Sequence, residues 1–198
     1  MRPRPHQGQA EVADELTIFT VGHGARPVEQ LVEELRAAGV ERLVDVRTAP
    51  GSRRHPQFNL TSLAETIGAA DIEYVWRKDL GGFRRPDLNS PHTALRNDSF
   101  RGYADHMDRP EFEGAISWLV ETSAAARTAV MCSETLWWRC HRRMIGDALT
   151  VRGATVVHLI AGKREAHRLH PNARVVGRGL VYDVPDAQRT LPLDESPN

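Results

Sequence analysis

Charge of neither sign is in excess. The 198-residue chain holds 26 basic and 26 acidic side chains, so no long-range field singles out nucleic acid or an anionic membrane as a partner, and only a local basic face could serve that purpose. Long apolar runs are missing too, which leaves no candidate for a spanning helix. The opening stretch MRPRPHQGQAEVADE has no apolar centre of the kind a secretory leader needs, and the expected location is the cytoplasm. Cysteine is scarce, with two in all. In the cytoplasm both thiols are expected to be reduced, and the C-x-x-C spacing of ribbon-type zinc sites is absent. VGHGA (Val21 to Ala25) is a fragment of a glycine-rich phosphate loop, but it lacks the third glycine of the dinucleotide fingerprint and the lysine of the P-loop.

What is present alternates. Residues 1–16 are rich in Pro, Arg, Gln and Glu without an apolar period and are expected to form a disordered tail. A single domain is expected over residues 17–170. TIFTVG (Thr17 to Gly22) reads as a strand, and PVEQLVEELRAAG (Pro27 to Gly39) as a helix with proline at its start and glycine at its end. RLVDV (Arg42 to Val46), SLAETIGAA (Ser62 to Ala70) and IEYVW (Ile72 to Trp76) read as strand, helix and strand. A long loop rich in Gly and Pro follows, ending near a short helix in FRGYADHMD (Phe100 to Asp108). Arg109 to Ala126 is a helix, Thr128 to Cys132 a strand, Arg139 to Gly153 a helix and ATVVHLI a fifth strand. Residues 171–198 read as irregular, with an edge hairpin through ARVVGRGLVYDV. The pattern predicts a three-layer α/β fold: a mostly parallel sheet of about five strands with helices on both faces.

Ligands of open parallel sheets bind beyond the carboxyl ends of the strands, where loops converge and helix amino termini expose N–H groups. The strands deliver polar groups to that rim: His23 and Gly24, Asp45 and Arg47, Arg77 and Lys78, Cys132 and Glu134, and His158. The densest stretch is MCSETLWWRCHRR (Met131 to Arg143), which crowds both cysteines, Glu134, Trp137, Trp138, His141 and three arginines beside one apolar run. Cys140, His141 and Arg142 are expected on the first turn of a helix, where thiolates and bound anions are favoured. Cys132 reads equally as an inert core thiol. Cys132, Cys140 and His141, with His158 or Glu134, offer ligands to a metal, although adjacent Cys and His rarely both reach one ion. After Arg47, Ser52, Arg53, Arg54 and His55 could present guanidinium groups to a phosphate or lie in a solvated basic loop.

The ordered set TVGHG, LVDVR, SRRHPQFN, LGG, FRGYADHM, MCSE and WRCHRR resembles the domain of unknown function 488 family from about Thr17 to about His170. The resemblance implies a single-domain bacterial or archaeal cytoplasmic protein with an α/β fold, and it names no reaction. The family's recurrent polar set falls on His23, Asp45, Arg47, Ser52, Cys132, Glu134, Cys140, His141 and Arg142. Gly24 stands where the family often has Ser or Thr. The VDVR strand end and the strand, cysteine, loop, arginine, helix order are also similar to rhodanese-type sulfurtransferases and cysteine phosphatases, whose loops carry smaller residues than Leu136, Trp137 and Trp138.

Together these residues predict an enzyme for a small anionic or nucleotide-like ligand, its cofactor and oligomeric state unspecified. Cys132, Glu134, Asp45 and His23 are the catalytic candidates; Arg47, Ser52, Arg53, Cys140, His141, Arg142 and Trp138 are the ligand-binding ones. The alternatives are a nucleic-acid-binding module using a local basic face and a metal-binding protein using Cys132, Cys140 and His141.

Overall fold

The computed structural model describes residues 16–184, so the tail expected before Leu16 and the irregular segment from residue 185 onward lie outside the described residues. In chain order the elements are β1 (Thr17–Gly22), α1 (Val28–Ala37), β2 (Arg42–Asp45), α2 (Leu60–Gly68), β3 (Glu73–Trp76), α3 (Asp98–Met107), α4 (Pro110–Ala125), β4 (Thr128–Cys132), α5 (Arg142–Val151), β5 (Thr155–Ile160), β6 (Lys163–Ala166), β7 (Ala173–Val176) and β8 (Gly179–Tyr182). Single 3-10 turns occupy Pro56–Phe58, Lys78–Leu80 and Trp137–Arg139.

One sheet runs β3-β2-β4-β1-β5-β6, parallel except where β6 pairs antiparallel with β5. Strand alternation feeds a core on each face. Phe19, Val21, Leu43, Ala129 and Met131 pack with Val28, Leu31 and Leu35 of α1 and Leu63 and Ile67 of α2. Ile18, Val44, Val130 and Cys132 pack on the opposite face with Tyr103, Phe112, Met144 and Leu149 from α3, α4 and α5. The fold is the three-layer α/β arrangement that the alternation of strands and helices predicts.

Two features differ from the sequence reading. The edge strand β6, KREA, is exposed along its whole length, so it has no apolar alternation to reveal it. It is set instead by the turn at Ala161 and Gly162, both with positive φ (48° and 79°). The hairpin through ARVVGRGLVYDV forms as β7 and β8, but as a separate two-stranded sheet rather than as an edge of the main one.

Strand order also places the site. The chain leaves β1 through α1 toward β2 on one face and leaves β4 through α5 toward β5 on the other, while β1 and β4 are hydrogen-bonded neighbours. Their following segments therefore diverge, which opens a crevice at their carboxyl ends. The first contacts beyond the strands keep the two chains together there: His23 N–H donates to the Cys132 carbonyl at 3.0 Å and Gly24 N–H to the Ser133 carbonyl at 2.9 Å.

Candidate functional site at the switch point of the sheet

A cavity of about 650 Å³ fills that crevice, a size typical of small-ligand sites. His23 and Gly24 after β1, Arg47, Thr48, Ala49, Gly51 and Ser52 after β2, and Cys132, Ser133 and Glu134 at the end of β4 reach it. Arg139, Cys140 and His141 come from the segment that leads into α5, and Asn97, Ser99, Phe100 and Tyr103 from the cap and first turns of α3. Gly82 and Phe83 of the long loop complete the wall.

Pleating puts Cys132 on the α5 face, with Val130 two residues before it. Cys140 is extended (φ −130°, ψ 152°) and His141 turns helical (φ −57°, ψ −15°) as the residue capping α5. This break in backbone direction lets two adjacent side chains converge. His141 Nδ1 lies 3.6 Å from Cys140 Sγ and 4.0 Å from Cys132 Sγ. Both cysteines are unpaired and buried. A hydrogen bond from Cys132 holds the Cys140 thiol down at about 6 against the opposing effect of burial, with the Arg142 charge and backbone N–H adding to the lowering. The same contact, together with burial, pushes Cys132 up to about 12. Of the pair, Cys140 is the thiol favoured to ionise, because the Arg142 charge and backbone N–H act on it.

Arg142 is nearly fully buried and does not face the cavity. Its guanidinium donates to the carbonyls of Glu134 and Thr135, which fixes the loop after β4. Gly22 makes room for this, since a Cβ there would run into the Glu134 carbonyl and the Arg142 guanidinium.

Asp45 is likewise fully buried and outside the cavity wall. It receives Arg47 Nε at 2.9 Å and NH2 at 2.5 Å, the Arg47 backbone N–H at 3.0 Å and the Tyr74 hydroxyl at 2.6 Å. Arg47 in turn donates NH1 to the Phe58 carbonyl at 2.8 Å and meets His23 Nε2 at 3.2 Å. Because His23 Nδ1 lies 2.8 Å from the Gly24 carbonyl, it carries the proton and Nε2 accepts from Arg47. Burial, and then the Arg47 charge, lower His23 to about 4, so its ring is neutral near pH 7. It stacks on Phe58 with ring centroids 4.0 Å apart.

Cys132, Glu134, His23, Arg47, Ser52, Cys140 and His141 thus share the cavity, whereas Asp45, Arg53, Arg142 and Trp138 do not. Arg53 lines a shallow depression beside it. Trp138 is exposed, edge-on to Trp137, and Trp137 stacks on His158 at 4.1 Å in the interior. His158 bonds to Thr20 and His167, away from the site. Arg77 pairs with Asp79 and covers Trp118. Two of the five strand ends therefore contribute nothing to the wall.

The family model described as Domain of unknown function DUF488 matches residues 27–149, more than half of the chain. The chain belongs to the DUF488 family. No curated protein and no solved structure matches it. The DUF488 match begins after the TVGHG motif and spans α1 through most of α5, which includes every cavity residue except His23 and Gly24.

Several wall residues of this DUF488 domain were not among the sequence candidates. Arg139 is exposed on the wall, and its side chain has no hydrogen-bond partner among the described residues. It lies in the same dense stretch as Arg142, and nothing local in the sequence tells which of the two faces the cavity. Asn97 and Phe100 come from the amino end of α3, which no pattern in the sequence turns toward the crevice. Phe83, 91% exposed at a positive φ of 59°, is marked only by the paired glycines before it.

Proposed function

We propose that this DUF488 protein is an enzyme acting on a small anionic, nucleotide-like ligand held in the switch-point cavity. The observation that carries this reading is that a cluster of two thiols and an imidazole shares one wall with the carboxylate of Glu134 and the guanidinium groups of Arg139 and Arg47. Arg139 is the anion contact, because Arg47 spends most of its donors on Asp45, His23 and Phe58. Glu134 is exposed at the mouth and serves in proton transfer. Phe83, Phe100 and Tyr103 give the cavity aromatic surface suited to a planar ring. The Cys132, Cys140 and His141 cluster is the reactive centre.

A panel of nucleotides and phosphorylated metabolites, screened by thermal shift and then by calorimetry, tests this. At least one should bind; Arg139→Ala should weaken it by roughly tenfold, about the worth of one charge-assisted hydrogen bond. Glu134→Gln should leave binding largely intact and abolish turnover. Folded protein that binds nothing in the panel, or binding indifferent to Arg139→Ala, overturns the assignment. Affinity for an oligonucleotide that falls steeply with salt would move it to nucleic acid instead.

A further inference from the structure

We infer that Cys132, Cys140 and His141 bind a thiophilic divalent cation of the zinc class, with its remaining coordination position open to the cavity. The inference rests on the proposed reading only in calling this cluster the reactive centre; the binding itself depends on nothing but the three side chains. Their ligand atoms all lie within 4.8 Å of one another. In a tetrahedral site with zinc–sulfur near 2.3 Å and zinc–nitrogen near 2.0 Å, a sulfur-to-nitrogen edge measures roughly 3.6 Å and a sulfur-to-sulfur edge roughly 3.8 Å. The two sulfur-to-nitrogen edges here are 3.6 and 4.0 Å, within a few tenths of an ångström of those values, and the sulfur-to-sulfur edge is no longer than 4.8 Å.

A second observation concerns the space beside the imidazole. Gly82 lies against His141, and a Cβ on it would stand 2.9 Å from Nδ1, the nitrogen that faces the sulfurs. The backbone of the long loop thus comes as close as it can without crowding the ligand atom. A nucleophilic thiol would need only one sulfur beside its base, whereas His141 Nδ1 stands within sulfur hydrogen-bond range of both sulfurs at once. Two buried sulfurs and one ring nitrogen converging on one point is the donor set of a soft cation.

Both sulfurs bind as thiolates, and any thiol proton that the ion displaces passes to solvent. Because all three residues line the cavity, a bound ion presents its open position there, where a water or a ligand oxygen can be polarised. Glu134 on the same wall is placed to exchange a proton with that group. His158, the other histidine of the original ligand set, is held by Thr20 and His167 and takes no part.

The experiment uses full-length protein without a histidine tag, reduced and treated with chelator, then loaded with zinc or cobalt(II). Close to one zinc ion per chain is expected by elemental analysis. Cobalt should give tetrahedral visible bands and near-ultraviolet sulfur charge-transfer bands, the latter reduced in Cys132→Ser and in Cys140→Ser. On the unaltered protein, zinc should slow labelling of both thiols by a maleimide at least tenfold, and Gly82→Ala should weaken zinc retention while leaving the circular dichroism spectrum unchanged. Folded, reduced protein that takes up neither ion, or thiols labelled equally fast with and without zinc, overturns the inference. Metal binding without any ligand from the panel would sink the enzyme reading alone, and ligand binding by a protein that takes no metal would sink this inference alone.

Discussion

Asp45 illustrates how much a single buried carboxylate can organise. Its oxygens hold the Arg47 fork and the Tyr74 hydroxyl, so it sets the direction in which the chain leaves β2 and thereby one wall of the cavity. Replacing Arg47 with Met leaves that carboxylate buried and unpaired, and we expect a loss of about 3–5 kcal/mol in urea unfolding. Tyr74→Phe removes one hydrogen bond and should cost about 1 kcal/mol. Gly22→Ala tests the close approach of the loop after β4: the added methyl meets the backbone carbonyl of Glu134 as well as Arg142, and a loss of about 1–3 kcal/mol is expected. The site residues were half legible at this scale. Charged and thiol side chains at strand ends are visible in the sequence. Whether Asp45 or Arg142 faces a ligand or a neighbouring backbone is not, because the same side chain satisfies either demand.

At the scale of elements, a buried polar chain fastens the carboxyl-terminal part of the fold. Thr20 Oγ1 meets His158 Nδ1 at 2.6 Å, His158 Nε2 meets His167 Nδ1 at 2.9 Å, His167 Nε2 meets Asp147 at 2.8 Å, and the Tyr182 hydroxyl donates to Asp147 at 2.9 Å. Four elements and a loop are thereby joined, β1, β5, α5 and β8 among them. Gly146 of α5 admits the His167 ring, which a Cβ would meet at 2.8 Å. Tyr182→Phe should cost about 1 kcal/mol and Asp147→Asn about 1–3 kcal/mol. Hydrogen exchange should show the β7 and β8 amides losing protection before those of the main sheet. The hairpin itself could be read from its alternation and its Gly177 turn. Its docking could not, since His92, Ala94 and Asp147, which receive it, are far away in sequence.

For the whole molecule, several histidines are buried in the neutral state, which gives stability a definite dependence on pH. Burial, followed by Arg47, lowers His23 to about 4; burial, followed by His167 and Arg142, lowers His158 to about 3. In the unfolded chain both titrate near 6.5. Between those values the unfolded state binds more protons, so stability is full above pH 6.5 and falls as the pH drops toward 4 and then 3. The melting temperature should decline continuously over that window, and His23→Gln should flatten the part above pH 4. A melting temperature independent of pH from 7 to 4 would contradict the neutral assignments. Among the described residues no helix is long and apolar enough to cross a membrane.

The sequence by itself determined the elements and the class of fold. The periods of two and 3.6 residues, the proline and glycine boundaries and the strand-helix alternation are local properties, and local sterics and apolar burial enforce them. It also marked Met131 to Arg143, a stretch that supplies Cys132, Glu134, Arg139, Cys140 and His141 to the cavity wall. Strand order decided the rest. With β4 inserted between β1 and β2, the ends of three strands became neighbours, and those of β3 and β5 were carried away from the cavity. No local signal encodes that order; it follows from which faces α1, α2 and the later helices cover, a choice made by burial summed over the whole chain.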